Sequence, residues 1–327
     1  MRALVVGAGP TGHQHAAALR GVGHHVTLAD PHQPPADHRA LAAVLEDVRP
    51  HVATIATPPV PALGLARAAA QTGATVLLEK PGILAPTGEL GERVGDERIY
   101  LAHEVRFIPV VERLLRDPPS ICAAELTLRC WRPPEHHTGW RRQHHTGGGL
   151  LHQQAHQALG LLAQLSGPPS WCQTWTGPRE STAVERQVAA ELGGAGTEIR
   201  LDARNDDVSF AGAPQQLLRL RQRHGPDHTT ATTLGGPVLE CGLHDAPYGV
   251  YQHQLRVALH TAISHVADGG TEHPALLPLR EGHPIAALIQ HIHRSRSPRS
   301  PARTGPTLRC ASSPDRNDLI AGGARAG

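Results

Sequence analysis

The chain opens on a short apolar run, Ala3-Leu4-Val5-Val6, which stops at Gly7 and gives way to an alanine-rich stretch over residues 11–20. Similar runs recur at residues 26–29, 52–56, 75–78 and 99–101. Each is continuous rather than alternating, the pattern of a strand covered on both faces. Between them lie stretches of helical length and composition at residues 40–48, 61–72 and 109–116, with Gly73 placed as a glycine just past a helix end. Strands alternating with helices predict a doubly wound parallel sheet. Asp117-Pro118-Pro119 marks a boundary, so residues 1–118 read as the first domain.

The second half has a different texture. Residues 123–131 alternate apolar and polar, as a strand with one exposed face does. Further strands are expected near residues 171–176, 184–192, 197–203 and 216–221, and helices over 150–162, 248–267 and 285–294. Residues 119–295 therefore read as a second α/β domain with a largely antiparallel, open sheet. Residues 296–327 are rich in Ser, Arg, Pro, Gly and Ala without apolar periodicity and are expected to form a disordered tail.

Composition narrows the classes. Aromatics are 3% of the chain, so both cores must be aliphatic. A formal charge of +2 with both signs dispersed gives no reason to expect nucleic acid as a partner. No apolar run is long enough to span a bilayer, and a strand pattern begins at Arg2, so the expectation is a cytoplasmic protein with no membrane partner. Cys122, Cys130, Cys172, Cys241 and Cys310 are odd in number and lack C-x-x-C spacing, and are read as reduced thiols. The 24 histidines scatter along the chain and by count alone define no metal site.

Candidate chemistry collects at one edge of the first sheet. Gly7-Ala8-Gly9-Pro10-Thr11-Gly12, between strand and helix, is the dinucleotide-binding arrangement. Gly7 permits the tight turn, Gly9 lets backbone approach a pyrophosphate, and Gly12 lets helix and strand pack closely. Pro10 and Thr11 open the helix, whose free N–H groups attract phosphate. Asp30 ends the second strand, where a carboxylate accepts hydrogen bonds from ribose hydroxyls and repels a 2′-phosphate. NAD is therefore expected, while His32 and Arg39 leave NADP open. Thr57-Pro58 and Glu79-Lys80 follow the third and fourth strands, at the carboxyl edge where open sheets bind ligands. Lys80 is the only lysine in the chain. An ammonium can release a proton and a guanidinium cannot. His152 and His156, four apart, are expected on one face of a helix. Their spacing lacks the glutamate of H-E-x-x-H, and no metal is assigned to them or to the nearby His144 and His145.

The order of these motifs resembles the Gfo/Idh/MocA family of NAD(P)-dependent oxidoreductases. The resemblance runs from Met1 to about Arg296 and rests on Gly7 to Gly12 followed by His15, Ala56-Thr57-Pro58-Pro59, Glu79-Lys80-Pro81, Arg106-Phe107 with Pro109, Trp140-Arg141, and Gly147-Gly148-Gly149 upstream of His156. It implies hydride transfer between NAD(H) and a sugar, cyclitol or related alcohol or ketone, with Lys80 as proton donor or acceptor. It also implies a substrate or proton-relay role for His156, a cis Lys80–Pro81 bond and a homo-oligomer. The chain departs from the family where an aspartate is usual and His152 stands, where a glycine is usual and Gln154 stands, and near Ala62, where a histidine is usual. Protonated His152 and His156 would act as cationic neighbours that make Lys80 a better base. The alternatives are an imine reductase of secondary metabolism, a metal enzyme, and a non-catalytic nucleotide-binding sensor or scaffold on the same fold.

Overall fold

The computed structural model describes residues 1–30, 41–84, 94–177, 184–194, 196–206, 208–210, 215–224, 228–233 and 248–295. His32, Arg39, Cys241, Cys310 and the tail after Ser295 lie outside the described residues.

The first part of the chain runs β1 (Arg2–Val6), α1 (Pro10–Gly21), β2 (His25–Ala29), α2 (Leu41–Val48), β3 (Val52–Ile55), α3 (Pro59–Gln71), β4 (Thr75–Leu78), β5 (Ile99–Leu101) and α4 (Pro109–Arg116). The five strands are parallel, in the spatial order β2-β1-β3-β4-β5. Every residue of β3 and β4 is buried, which accounts for their continuous apolar runs. Helices α1 and α3 turn alanines inward (Ala16 and Ala18, then Ala62, Ala66, Ala69 and Ala70), and these small side chains let the helices lie close to the sheet. Pro10, Pro59 and Pro109 sit in first turns, where a missing N–H costs nothing. The chain leaves β1 toward β2 on one side and resumes with β3 on the other. That reversal opens a crevice above the carboxyl ends of β1 and β3.

The second sheet contains β6 (Ile121–Arg129), β7 (Trp171–Thr176), β8 (Gln187–Gly194), β9 (Thr197–Arg204), β10 (Gln215–His224) and β11 (His228–Thr233), ordered β7-β8-β9-β6-β10-β11. Only β6 and β9 pair in parallel; the other neighbours are antiparallel. Its inner face packs on α5 (His156–Ser166), which in turn packs on the C-terminal helix. The later chain returns to the first sheet. Helix α6 (Tyr248–Ala267) lies against α1, and a two-residue strand β12 (Leu277–Pro278) pairs antiparallel with β5 before α7 (Gly282–Arg294).

Several sequence expectations need adjusting. Residues 150–162 do not form one α-helix: Leu151–Ala155 is a π-helical turn that leads into α5. Strands β11 and β12 were not expected, because one is a run of Thr, Ala and His and the other has only two residues. The reading of all five cysteines as thiols fails at Cys122, which is disulfide-bonded, while Cys130 and Cys172 are free. An odd count excludes complete pairing but not a single bridge. Among the described residues no helix is long and apolar enough to cross a membrane.

Candidate functional site

The glycine loop has the geometry its sequence implies. Gly7 has φ +108°, and a Cβ there would press on the Ala56 backbone, while a Cβ on Gly12 would run into the Gly7 carbonyl. Nothing crowds the same position on Gly9. Helix α1 begins after Gly9 with no side-chain cap and no acid in its first turn, so its N-terminal amides keep their positive end. The buried Asp30 accepts the Ala8 N–H at 2.8 Å, which ties the loop to the end of β2. Pro58 caps α3, and beside it the buried Thr57 hydroxyl has no partner among the described residues. An uncapped helix start, a buried carboxylate and a buried hydroxyl thus lie along the one edge where an open sheet takes a dinucleotide.

Past β4 stands a buried polar row. Glu79 Oε1 meets His15 Nε2 at 2.8 Å, and His15 Nδ1 meets His260 Nε2 at 2.8 Å. Burial alone would raise the Glu79 carboxyl, but the His15 hydrogen bond and the nearby Lys80 charge outweigh it and hold the group at about 2. The Lys80–Pro81 bond is cis. Lys80 Nζ donates to the Gln153 carbonyl at 3.2 Å, so the ammonium is held across the gap between the two sheets.

A cavity of about 360 Å³ occupies that gap. Thr11, Gln14, Glu79 and Lys80 line it from the first sheet; Arg132, His136, Arg141, Gln153, Gln154 and Gln157 line it from the segment after β6 and the π turn. Glu104 and Arg256 close one side, paired at 3.1 Å, with Gln157 donating to the other Glu104 oxygen at 2.6 Å.

The π turn decides which residues face this cavity. Gln153, Gln154 and Gln157 line it, and His152 and His156 do not. His156 Nδ1 meets His103 Nε2 at 3.0 Å, and His156 also donates to the Pro81 carbonyl, bracing the turn that carries Lys80. His152 Nδ1 bonds the Gly148 carbonyl at 3.0 Å, and its ring lies against His293. Burial pushes His156 well below the usual range, His103 to about 3 and His152 to about 4. These imidazoles are neutral at neutral pH. The expected cationic neighbours of Lys80 are therefore not His152 and His156.

The cations at the cavity are arginines, and they keep donors in reserve. Among the described residues, Arg132 Nε, Arg141 Nε and His136 Nε2 are buried with no hydrogen-bond partner. Arg132 is steadied by Gln154 at 3.1 Å, and Arg141 stacks 4.5 Å over the Trp140 ring. Burial, then the charges of Arg141 and Arg132, hold His136 at about 4. Buried donors without acceptors are costly unless a ligand supplies the acceptor. Sequence reasoning missed Arg132, His136 and the three glutamines. The one signal for Arg132 and His136 was the density of Arg and His between β6 and the triple glycine; the glutamines, after the triple glycine, gave none.

No family model and no curated protein sequence matches the chain. Solved structures do. A myo-inositol dehydrogenase from Corynebacterium glutamicum superposes with TM-score 0.69 at 17% identity, covering 90% of this chain and 96% of its own. The WlbA dehydrogenase from Bordetella pertussis, solved with NADH and UDP-GlcNAcA, gives TM-score 0.69 at 18% identity over 90% and 95%. The UDP-N-acetylglucosamine 3-dehydrogenase GnnA from Acidithiobacillus ferrooxidans gives 0.67 at 16% over 90% and 97%. At these identities the likeness establishes the fold, the two-sheet architecture of Rossmann-type dehydrogenases that the resemblance to the Gfo/Idh/MocA family implies.

Proposed function

We propose that the protein is an NAD-dependent oxidoreductase that interconverts an alcohol and a ketone on a small, sugar-like substrate bearing an acid group. The observation that carries the reading is the opposition across one cavity of Lys80 and the unsatisfied donors of Arg132 and Arg141, with the unpartnered His136 Nε2 beside them. The glycine loop, Asp30 and Thr57 would hold the dinucleotide, whose nicotinamide supplies or accepts the hydride. Arg132 and Arg141 bind the acid group and so place the reacting carbon. Lys80, steadied by the Gln153 carbonyl, gives its proton to the carbonyl oxygen in reduction, and as the free amine takes the hydroxyl proton in oxidation. Glu79 stays ionised beside it, backed by His15. His156 acts by bracing the Lys80–Pro81 turn, and His152 stands outside the cavity wall. The NADH and UDP-GlcNAcA bound to WlbA support both halves of the assignment. We further propose, as the resemblance to the family implies, a homo-oligomer built through the open second sheet.

The test is to incubate the purified chain with NAD⁺ and matched pairs of sugar acids and neutral sugars while following nicotinamide absorbance. Reduction with acids and weak response to their neutral partners is expected. Dinucleotide binding with no turnover on any substrate would favour the sensor reading instead. Equal rates on both sets would remove the acid-group assignment and leave the dehydrogenase.

A further inference from the structure

Behind the π turn, on the side away from the cavity, three distant parts of the chain bring ligating side chains together. His144 comes from a short turn ahead of the triple glycine, Glu185 from the lead into β8, and His293 from the last turn of α7. Glu185 Oε2 lies 3.0 Å from His144 Nε2, and Glu185 Oε1 lies 3.4 Å from His293 Nε2. The ligand atoms of all three fall within 4.8 Å of one another. We propose that His144, Glu185 and His293 form a divalent transition-metal site, for zinc by the chemistry of its donors, separate from the dinucleotide cleft.

Four observations converge. Two imidazoles and a carboxylate are a donor set that zinc favours and that hard cations such as magnesium do not. Donors about 2.0–2.2 Å from a tetrahedral zinc stand roughly 3.3–3.5 Å apart, close to the spacings present. The Glu185 side chain is fully buried, and each of its oxygens faces an imidazole nitrogen, so the three donors already converge. Finally, the surroundings close round the cluster. Gly149, at φ +93°, faces the cluster, and a Cβ there would come 2.8 Å from Glu185 Oε1 and 3.0 Å from the His144 ring. His152, bonded through Nδ1 to the Gly148 carbonyl, packs its ring beside His293. The fourth position falls to water.

Such a cation would clamp the glycine turn at residues 147–149 to α7. The same turn leads directly into the segment whose Gln153 carbonyl holds Lys80. The site is therefore structural for the second sheet and positioning for the cavity. It does not depend on the dehydrogenase reading, and its test needs no turnover.

The full chain, stripped with a chelator and desalted, is titrated with zinc against a chromophoric competitor and separately with cobalt(II). One cation per chain and the ligand-field bands of a tetrahedral cobalt site are expected. His144→Ala and His293→Ala should each lose more than about 100-fold in affinity, beyond the ~10–100-fold that loss of an outer partner costs. His152→Ala, which removes a neighbour of His293 and no ligand, should lose about 10-fold at most, and His145→Ala, an exposed neighbour, should bind as the parent does. Glu185→Gln, close in shape, covers the case in which the alanine variants do not fold, and it too should lose the cobalt bands. No stoichiometric uptake by the parent chain would overturn the site and leave a hydrogen-bonded cluster only. Parent-like binding in the His144 and His293 variants would overturn it equally, by placing the metal elsewhere.

Discussion

The two walls of the cavity handle charge in opposite ways. On the first sheet the acid is spent: Glu79 is bonded to His15, which is bonded to His260. On the facing wall, Arg132 and Arg141 hold donors that no described residue takes, with the unpartnered His136 Nε2 beside them. On the proposed function, a carboxylate already bonded to a buried imidazole is the same whatever enters the cavity, and suits a cofactor common to every turnover. A wall left unsatisfied is complete only with a particular ligand, and penalises one lacking the matching acceptor. The difference assigns constancy to one wall and selectivity to the other.

The sharpest way to break this division is at Lys80, where the walls meet. Lys80→Ala should lower turnover by about 10²–10⁴-fold while dinucleotide affinity, read by fluorescence titration, changes little. Lys80→Arg should be equally slow, because it keeps charge without a proton to give; an active arginine variant would end the proton-transfer role. On the selective wall, Arg141→Ala should raise KM for acid-bearing substrates about 10–100-fold, the worth of a charged hydrogen bond, with little effect on neutral analogues. A uniform loss on both would make Arg141 structural. At the glycine loop, Asp30→Ala should weaken NAD(H) about 10-fold for every substrate alike, measured by calorimetry. The smallest effects per residue concern stability. His103 and His152 are neutral when folded, with values of about 3 and about 4, but bind protons below about 6.5 once unfolded. Stability should therefore fall as pH drops below about 6.5, by up to about 1.4 kcal/mol per unit for each, and flatten only below the folded values. Between pH 6.5 and about 5.5 Glu79 adds almost nothing to the slope, since both its states are still ionised there. A melting temperature that stays level over that window would mean that these imidazoles are not held neutral.

The same contrast governs what could be read from the sequence. The strands of the first sheet were legible because burial on both faces forces continuous apolar runs, and the glycine loop because only glycine fits at Gly7 and Gly12. The facing wall was obscure for a physical reason. Its residues come from short turns and from a π turn, and the i, i+4 rule that would put His152 and His156 on one face holds for α-helix only. The wider turn puts Gln153, Gln154 and Gln157 on the cavity and leaves His152 beside His293. The cluster at Glu185 was equally hidden. His144 and His293 are far apart in sequence, and Glu185 lies in no motif.

The two-residue strand β12 carries a consequence for how the chain is made. Strand β5 presents an open edge until Leu277 and Pro278 pair with Leu101 and Tyr100, and α1 lacks its outer cover until Tyr248–Ala267 docks. During synthesis the first sheet is therefore complete in its interior and unprotected at its rim for as long as the second sheet is being built. An uncovered strand edge invites pairing with another chain. A fragment ending near Arg116 should assemble through that edge rather than stay monomeric. The late return of the chain is in this sense the molecule's own chaperone, a seal applied last.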